Sequence, residues 1–179
     1  MKVRIAVVFH SQEKRNTQRL ASLVAEGCCS VDGMSVSLVD VSNSSPSMDC
    51  VREADGYAFG SPNYFSYMAG GLKAFFDGLW LASNARQSMV GKPFVAFLTY
   101  GGGGNSARAL LTPGARGRAV RSIERLARKF GLRRVAKSLV CRGHPSDASM
   151  DRAIKLGKTL ADHVAAARRS APRMRAGGQ

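Results

Sequence analysis

No apolar run in this 179-residue chain approaches the roughly 20 residues that a helix needs to span a bilayer. The longest, Ile5–Phe9, is the size of a strand, and no membrane-spanning helix is expected. The opening MKVRIAVVFH sets basic residues beside an apolar patch too short for a secretory signal, with no small-residue cleavage site after it. The expectation is a cytoplasmic protein. Cysteine is sparse: Cys28, Cys29, Cys50 and Cys141 show neither CxxC spacing nor a histidine at metal-ligand distance, and His10, His144 and His163 are equally scattered. That pattern argues against a metal or disulfide framework and leaves buried thiols as the expectation.

Acidic residues are also scarce, 12 against 27 lysines and arginines, for a formal net charge of +15. The excess is uneven. Between Arg108 and Lys137 ten basic residues face one acid, Glu124. Such a face attracts anions, whether nucleic acid, an acidic membrane surface or a phosphorylated small molecule. A solvated helix face accounts for the run equally simply.

What is present is an alternation. Val3–Phe9, a continuous apolar run, reads as a strand buried on both faces of a parallel sheet. Leu20, Leu23 and Val24 mark a helix ending near Gly27, and a strand follows over Met34–Val41. Met48–Ala54 fits a short helix. A third strand, Gly56–Gly60, precedes a helix from about Gly70 to Ala82, and a fourth strand, Pro93–Tyr100, runs into four glycines. Val120, Ile123, Leu126, Ala127 and Phe130 recur at helical spacing, Arg133–Val140 is a fifth strand, and Met150, Ile154, Leu160 and Val164 outline a closing helix. Five strand–helix alternations without a linker-like break predict one doubly wound α/β domain over residues 1–169, followed by a basic, flexible tail over 170–179. A chain this short favours a five-stranded parallel sheet of order 2-1-3-4-5, with helices on both faces. That order brings together the loops His10–Thr17, Ser61–Tyr67 and Thr99–Asn105.

Each of these loops has an unusual composition. Ser11, Gln12, Arg15, Asn16 and Thr17 open a helix with hydroxyls, amides and exposed N–H groups, the makings of a phosphate cradle. It is neither a G-x-G-x-x-G fingerprint nor a P-loop, which argues against nucleoside triphosphates. Ser61, Pro62, Asn63, Tyr64 and Phe65 can wrap a flat heterocycle. Thr99, Tyr100, Gly101, Gly102 and Gly103 let main chain approach a ligand without Cβ interference.

Taken together, Ser11…Asn16-Thr17, FGSPNYFSYMAGGLKAFFDGL and Thr99-Tyr100-Gly101-Gly102-Gly103-Gly104 resemble the flavodoxin-like NAD(P)H-dependent FMN and quinone reductases, a group that includes the tryptophan-repressor-binding-protein family. The resemblance implies FMN bound non-covalently. Its phosphate would lie at Ser11, Asn16 and Thr17, with Pro62–Phe65 bordering one side of the ring and Thr99–Gly103 the other. It also implies NADH or NADPH as co-substrate, a quinone or other small molecule as electron acceptor, and assembly as a homo-oligomer, a dimer or tetramer. No catalytic side chain is required, because the flavin carries the chemistry. Two departures stand out: Arg15 occupies the place where the family usually has glycine, and Leu111–Arg118 reads as a basic insertion. A flavodoxin-type electron carrier is the alternative, although such carriers are generally acidic. A flavodoxin-fold protein using the arginine stripe on nucleic acid or another anion ranks third.

Overall fold

Strands apolar on both faces need helices above and below them, and the chain supplies both layers. The computed structural model describes residues 2–42, 49–82, 85–101 and 115–170. Its elements run β1 (Val3–Phe9), α1 (Asn16–Cys29), β2 (Met34–Asp40), α2 (Asp49–Arg52), β3 (Gly56–Tyr64), β4 (Tyr67–Met68) and α3 (Gly70–Leu81). They continue α4 (Ala85–Met89), β5 (Pro93–Tyr100), α5 (Ala115–Lys129), β6 (Arg133–Arg134), β7 (Leu139–Arg142) and α6 (Asp147–Ser170). The sheet order is β2-β1-β3-β5-β6, with β7 also parallel to β5 and β4 antiparallel to β3. β6 and β7 are two pieces of one fifth strand, so the expected order 2-1-3-4-5 holds. Among the described residues, no helix is long and apolar enough to cross a membrane.

The core divides into one cluster on each face of the sheet. On one face Leu20, Val24 and Cys28 of α1 meet Ala153, Leu156 and Leu160 of α6 over Ile5, Val7 and Phe97. On the other, Leu72, Phe76 and Leu79 of α3 meet Ile123 and Ala127 of α5 over Phe59, Phe94 and Ala96.

Three expectations need correction. The third strand does not stop at Gly60: Ser61↔Leu98 and Pro62↔Thr99 extend its pairing with β5, and Asn63↔Met68 and Tyr64↔Tyr67 fold it into a hairpin. The residues read as a loop are mostly strand. The first helix, expected to end near Gly27, runs two residues further, to Cys29. Gly27 is there for packing, since a Cβ on it would lie 1.9 Å from the Ile154 carbonyl oxygen, and one on Gly157 would lie 1.9 Å from that of Val24. The fifth strand is interrupted between Arg134 and Leu139, and within the gap Ser138 donates its hydroxyl to the buried Glu124 carboxylate (2.7 Å). The short helix α4 had no counterpart in the sequence reading.

The thiols split. Cys28 and Cys141 are buried, but Cys29 is exposed. Cys28 donates to the Gly157 carbonyl (3.2 Å), and burial pushes its pKa up to about 12, which keeps it protonated and inert. The Cys50 side chain, Gly102, Gly103 and Gly104, most of the basic insertion and the segment 171–179 lie outside the described residues.

Candidate functional site

At the carboxyl ends of β1 and β3 the sheet changes winding direction, and a cleft of about 830 Å³ opens there. It is lined by His10, Ser11, Gln12, Glu13, Lys14, Arg15, Gln18, Asp40, Ser42 and Tyr64. The expected cradle forms one wall and the β3 hairpin contributes Tyr64.

The cradle is shaped by side chains that satisfy main chain. The Gln18 N–H donates to Ser11 Oγ (3.2 Å), and the Arg15 N–H to the Gln12 carbonyl (2.8 Å). The amides of Asn16 and Thr17 head the helix, where no carbonyl of its own turn reaches them. Thr17 is buried, its hydroxyl 2.7 Å from that of Thr99 at the end of β5. This contact joins the start of α1, which follows the first strand, to the end of the fourth, in keeping with the topology. Among the lining residues Lys14 and Arg15 are offset in net charge by Glu13 and Asp40, so an anion in the cleft would be met by oriented N–H groups and individual side chains, not by an overall positive field.

Sequence reasoning missed the second strand end. Ser42 accepts the Ser11 N–H (2.8 Å) and offers its proton to Asp40 Oδ1 (2.5 Å) or the Ser11 carbonyl (2.9 Å), tying the cradle to β2. The signal was available: in a 2-1-3 order, β2 ends beside the first loop. His10 was missed as well.

The second segment is a tight hairpin. Phe65 (φ 49°) and Ser66 (φ 66°) are both left-handed, the requirement of a two-residue type I′ turn that usually takes Asn-Gly. Phe65 is fully exposed at its tip. Ser61 is fully buried; its hydroxyl accepts the Ala69 N–H (2.8 Å) and donates to the Pro62 carbonyl (2.7 Å), locking the hairpin base. Of the third segment, Thr99 is buried, Tyr100 half-buried and Gly101 exposed; Gly102 and Gly103 lie outside the described residues.

Two kinds of anomaly concentrate here. Among the described residues, the non-glycine positions with left-handed backbone are Arg15 (φ 52°), Phe65 and Ser66. Each costs about 1–2 kcal/mol. Among the described residues, the buried side-chain polar atoms without a hydrogen-bond partner are His10 Nδ1 and Asn63 Oδ1. Strain and unmet polarity that persist at one place make it a candidate functional site. Asn63 Oδ1 is an acceptor waiting for a donor, and the imide N–H of a flavin is one. The donor set and the cleft therefore fit FMN.

His10 sits edge-on to Tyr64 (6.1 Å between ring centroids) and against Gly71, where a Cβ would lie 2.5 Å from Nδ1. Burial lowers its pKa below 6.5, outweighing the nearby Asp40 carboxylate and the Val41 carbonyl, toward which Nδ1 has no well-formed hydrogen bond. Because the unfolded chain takes up this proton first, stability falls as pH drops below 6.5 toward the folded value. Urea titrations across that window are expected to show acid loss in the natural chain and a smaller loss in His10→Gln.

Sheet order, switch-point cleft and cradle together define a flavodoxin-fold protein. The flavodoxin, WrbA-like protein from Agrobacterium tumefaciens has the same fold, with a TM-score of 0.75 at 19% identity over 92% of this chain and 99% of that one. The chain belongs to the NADPH-dependent FMN reductase family, whose profile matches residues 3–116. It is 27% identical over 160 residues to the type A flavoprotein fprA of Rhodobacter capsulatus, covering 88% of this chain and 33% of that protein. To the quinone oxidoreductase QR2 of Triphysaria versicolor it is 32% identical over 133 residues, 62% of each chain. The chain thus spans about a third of the type A flavoprotein's length and under two thirds of the quinone oxidoreductase's. Family and relatives support FMN as cofactor and an oxidoreductase as the class.

Proposed function

We propose that the chain is an FMN-dependent oxidoreductase that takes hydride from NADH or NADPH and passes it, or electrons, to a quinone or another small acceptor. The observation that carries the reading is the gathering of left-handed residues and unpartnered polar atoms on the two segments that flank one switch-point cleft. In this reading Ser11, Gln12, Arg15, Asn16 and Thr17 hold the phosphate. Asn63, Tyr64 and Phe65 border the ring on one side, with Pro62 fixing the strand beneath them, and Thr99–Gly103 border the other. Ser61 serves by locking the hairpin. FMN bound there supplies the hydride acceptance and donation that no side chain of the chain provides.

The chain's own residues position and tune. N–H groups at the head of α1 meet negative charge without reorganising. The exposed Phe65 side chain, on a strained turn held by the β3–β4 pairing, supplies a flat apolar surface that shields a ring from water. An assay of the FMN-loaded protein with NADH or NADPH and a soluble quinone is expected to show turnover. FMN-loaded protein that oxidises neither nucleotide, with any quinone or free flavin, would sink the enzyme reading and favour the electron carrier. We also propose a cytoplasmic, homo-oligomeric protein, dimer or tetramer; light scattering on the purified chain tests the assembly.

Arg15 separates stability from binding. Glycine relieves the left-handed strain, so Arg15→Gly is expected to stabilise the fold by up to about 1 kcal/mol. The same change removes a charge-assisted phosphate contact and weakens FMN binding roughly tenfold. Paired denaturation and FMN titrations read both signs; unchanged affinity would remove Arg15 from the phosphate site.

A further inference from the structure

The flavin reading uses the carboxyl end of the sheet and leaves the other end unexplained. There α3 and α5 finish and β5 begins, and three large apolar side chains face solvent: Trp80 (60% exposed), Leu81 (83%) and Val90 (62%). They form one corner. The Trp80 ring packs edge-on against Phe130 (6.1 Å between centroids). The turn carrying Val90 is tied to the turn after α5 by Gly91 N–H to the Gly131 carbonyl (2.9 Å) and Arg133 N–H to the Lys92 carbonyl (2.9 Å).

Cations run up to this corner. On α5, Arg118, Arg121, Arg125, Arg128 and Lys129 are all exposed, at three- and four-residue spacings that put them on one face; Arg133, just past the turn that follows the helix, is exposed as well. Like charges at these spacings are unfavourable on an isolated helix. The one carboxylate of α5, Glu124, is buried and already held by Arg134 (2.7 Å) and Arg128 (3.4 Å). The one carboxylate of α3, Asp77, is held by Lys73 (2.5 Å). Both of these carboxylates are thus already paired, and the exposed row is strongly cationic.

We propose that this end of the molecule docks on an anionic phospholipid surface, with Trp80, Leu81 and Val90 entering the headgroup boundary and Arg125, Arg128, Lys129 and Arg133 on the lipid phosphates. A second copy of the chain is a poor occupant, because two such corners face each other with like charges. Nucleic acid makes use of the arginines but gives Leu81 and Val90 nothing to do. An acidic bilayer satisfies both features at once: apolar side chains and an indole enter the interface while cations meet the surface potential. Docked this way, the cleft faces away from the membrane and stays open to water.

Trp80 is the chain's one tryptophan, so its emission reports on this corner alone. The test is co-sedimentation of the full chain with vesicles of phosphatidylcholine, with and without phosphatidylserine, alongside tryptophan emission. The expected result is binding only to the phosphatidylserine vesicles, with a blue shift and release by salt. Arg125→Glu with Lys129→Glu is expected to weaken binding more than about tenfold. Leu81→Ser with Val90→Ser is expected to weaken it several-fold and remove the shift. Circular dichroism shows that each variant is folded, and either pair alone suffices. No binding at low salt, or equal binding to neutral vesicles, overturns the proposal. Binding without a blue shift that is indifferent to Leu81→Ser and Val90→Ser also overturns it, leaving the row to a nucleic acid or an acidic protein.

Discussion

Alanine at Gly157 is expected to destabilise the protein by about 3 kcal/mol or more, lowering the melting temperature by roughly 6–12 °C. The added Cβ would sit 1.9 Å from the Val24 carbonyl oxygen and 3.0 Å from the Cys28 amide nitrogen, and neither is a side chain that can swing aside. Relief requires α1 and α6 to move apart, and their contact buries Leu20, Val24, Cys28, Leu156 and Leu160. The Cys28 thiol would lose its acceptor as well. Gly27→Ala meets the Ile154 carbonyl in the same way and is expected to match it. Gly70→Ala is the control: nothing lies within 4 Å of its Cβ position, and in the first turn of α3 alanine is expected to be neutral or mildly stabilising. Thermal melts of the three variants read the contrast, and a Gly157→Ala protein melting like Gly70→Ala would contradict the close helix crossing.

Thr17→Val is expected to cost about 2 kcal/mol, because it strands the Thr99 hydroxyl, buried and without its 2.7 Å partner. Replacing both threonines by valine removes the unmet group, so the double variant is expected to regain most of that loss. Flavin binding is expected to follow a different rule. The contact holds the cradle in register with the end of β5, and FMN affinity is expected to fall more than about tenfold in both single and double variants. A urea-based double-mutant cycle with FMN titrations separates the two effects. Additive stability losses would mean that the hydroxyls do not act as a pair.

What was legible in the sequence followed from periodicity. Val3–Phe9 and Pro93–Tyr100 are runs whose burial on both faces is the mark of interior parallel strands, and the sheet places them so. Leu72, Phe75, Phe76 and Leu79 repeat at helical spacing, and all four are buried in α3. The sheet order followed from the strand count, and the order identified which loops could meet.

The misreadings share a cause: residues whose role is tertiary were given local roles. Gly27 looks like a helix stop, but only the position of Ile154 on α6 shows that it is a packing notch. Gly60-Ser61-Pro62-Asn63 has turn composition, yet Pro62 sits in a strand, paired in register with Thr99. Ser138, in the break of the fifth strand, bonds a carboxylate on the preceding helix, a partner that strand periodicity does not reveal. His10 is a histidine without a motif, and its burial beside Gly71 and Tyr64 depends on three separate segments. Arg15 is an intermediate case. As the residue standing where the family has glycine it was visible in the sequence, and its left-handed backbone supplies the physical reason that position favours glycine.

The most direct test of the cleft as a phosphate-anchored flavin site is a side-by-side titration of the purified, flavin-free protein with FMN and with riboflavin, followed by flavin fluorescence. If residues 11–17 hold the phosphate as proposed, their charge-assisted hydrogen bonds would be lost with riboflavin, so FMN is expected to bind at least about tenfold more tightly. Equal affinity for the two, or binding of neither, would contradict the assignment of residues 11–17 as the cradle.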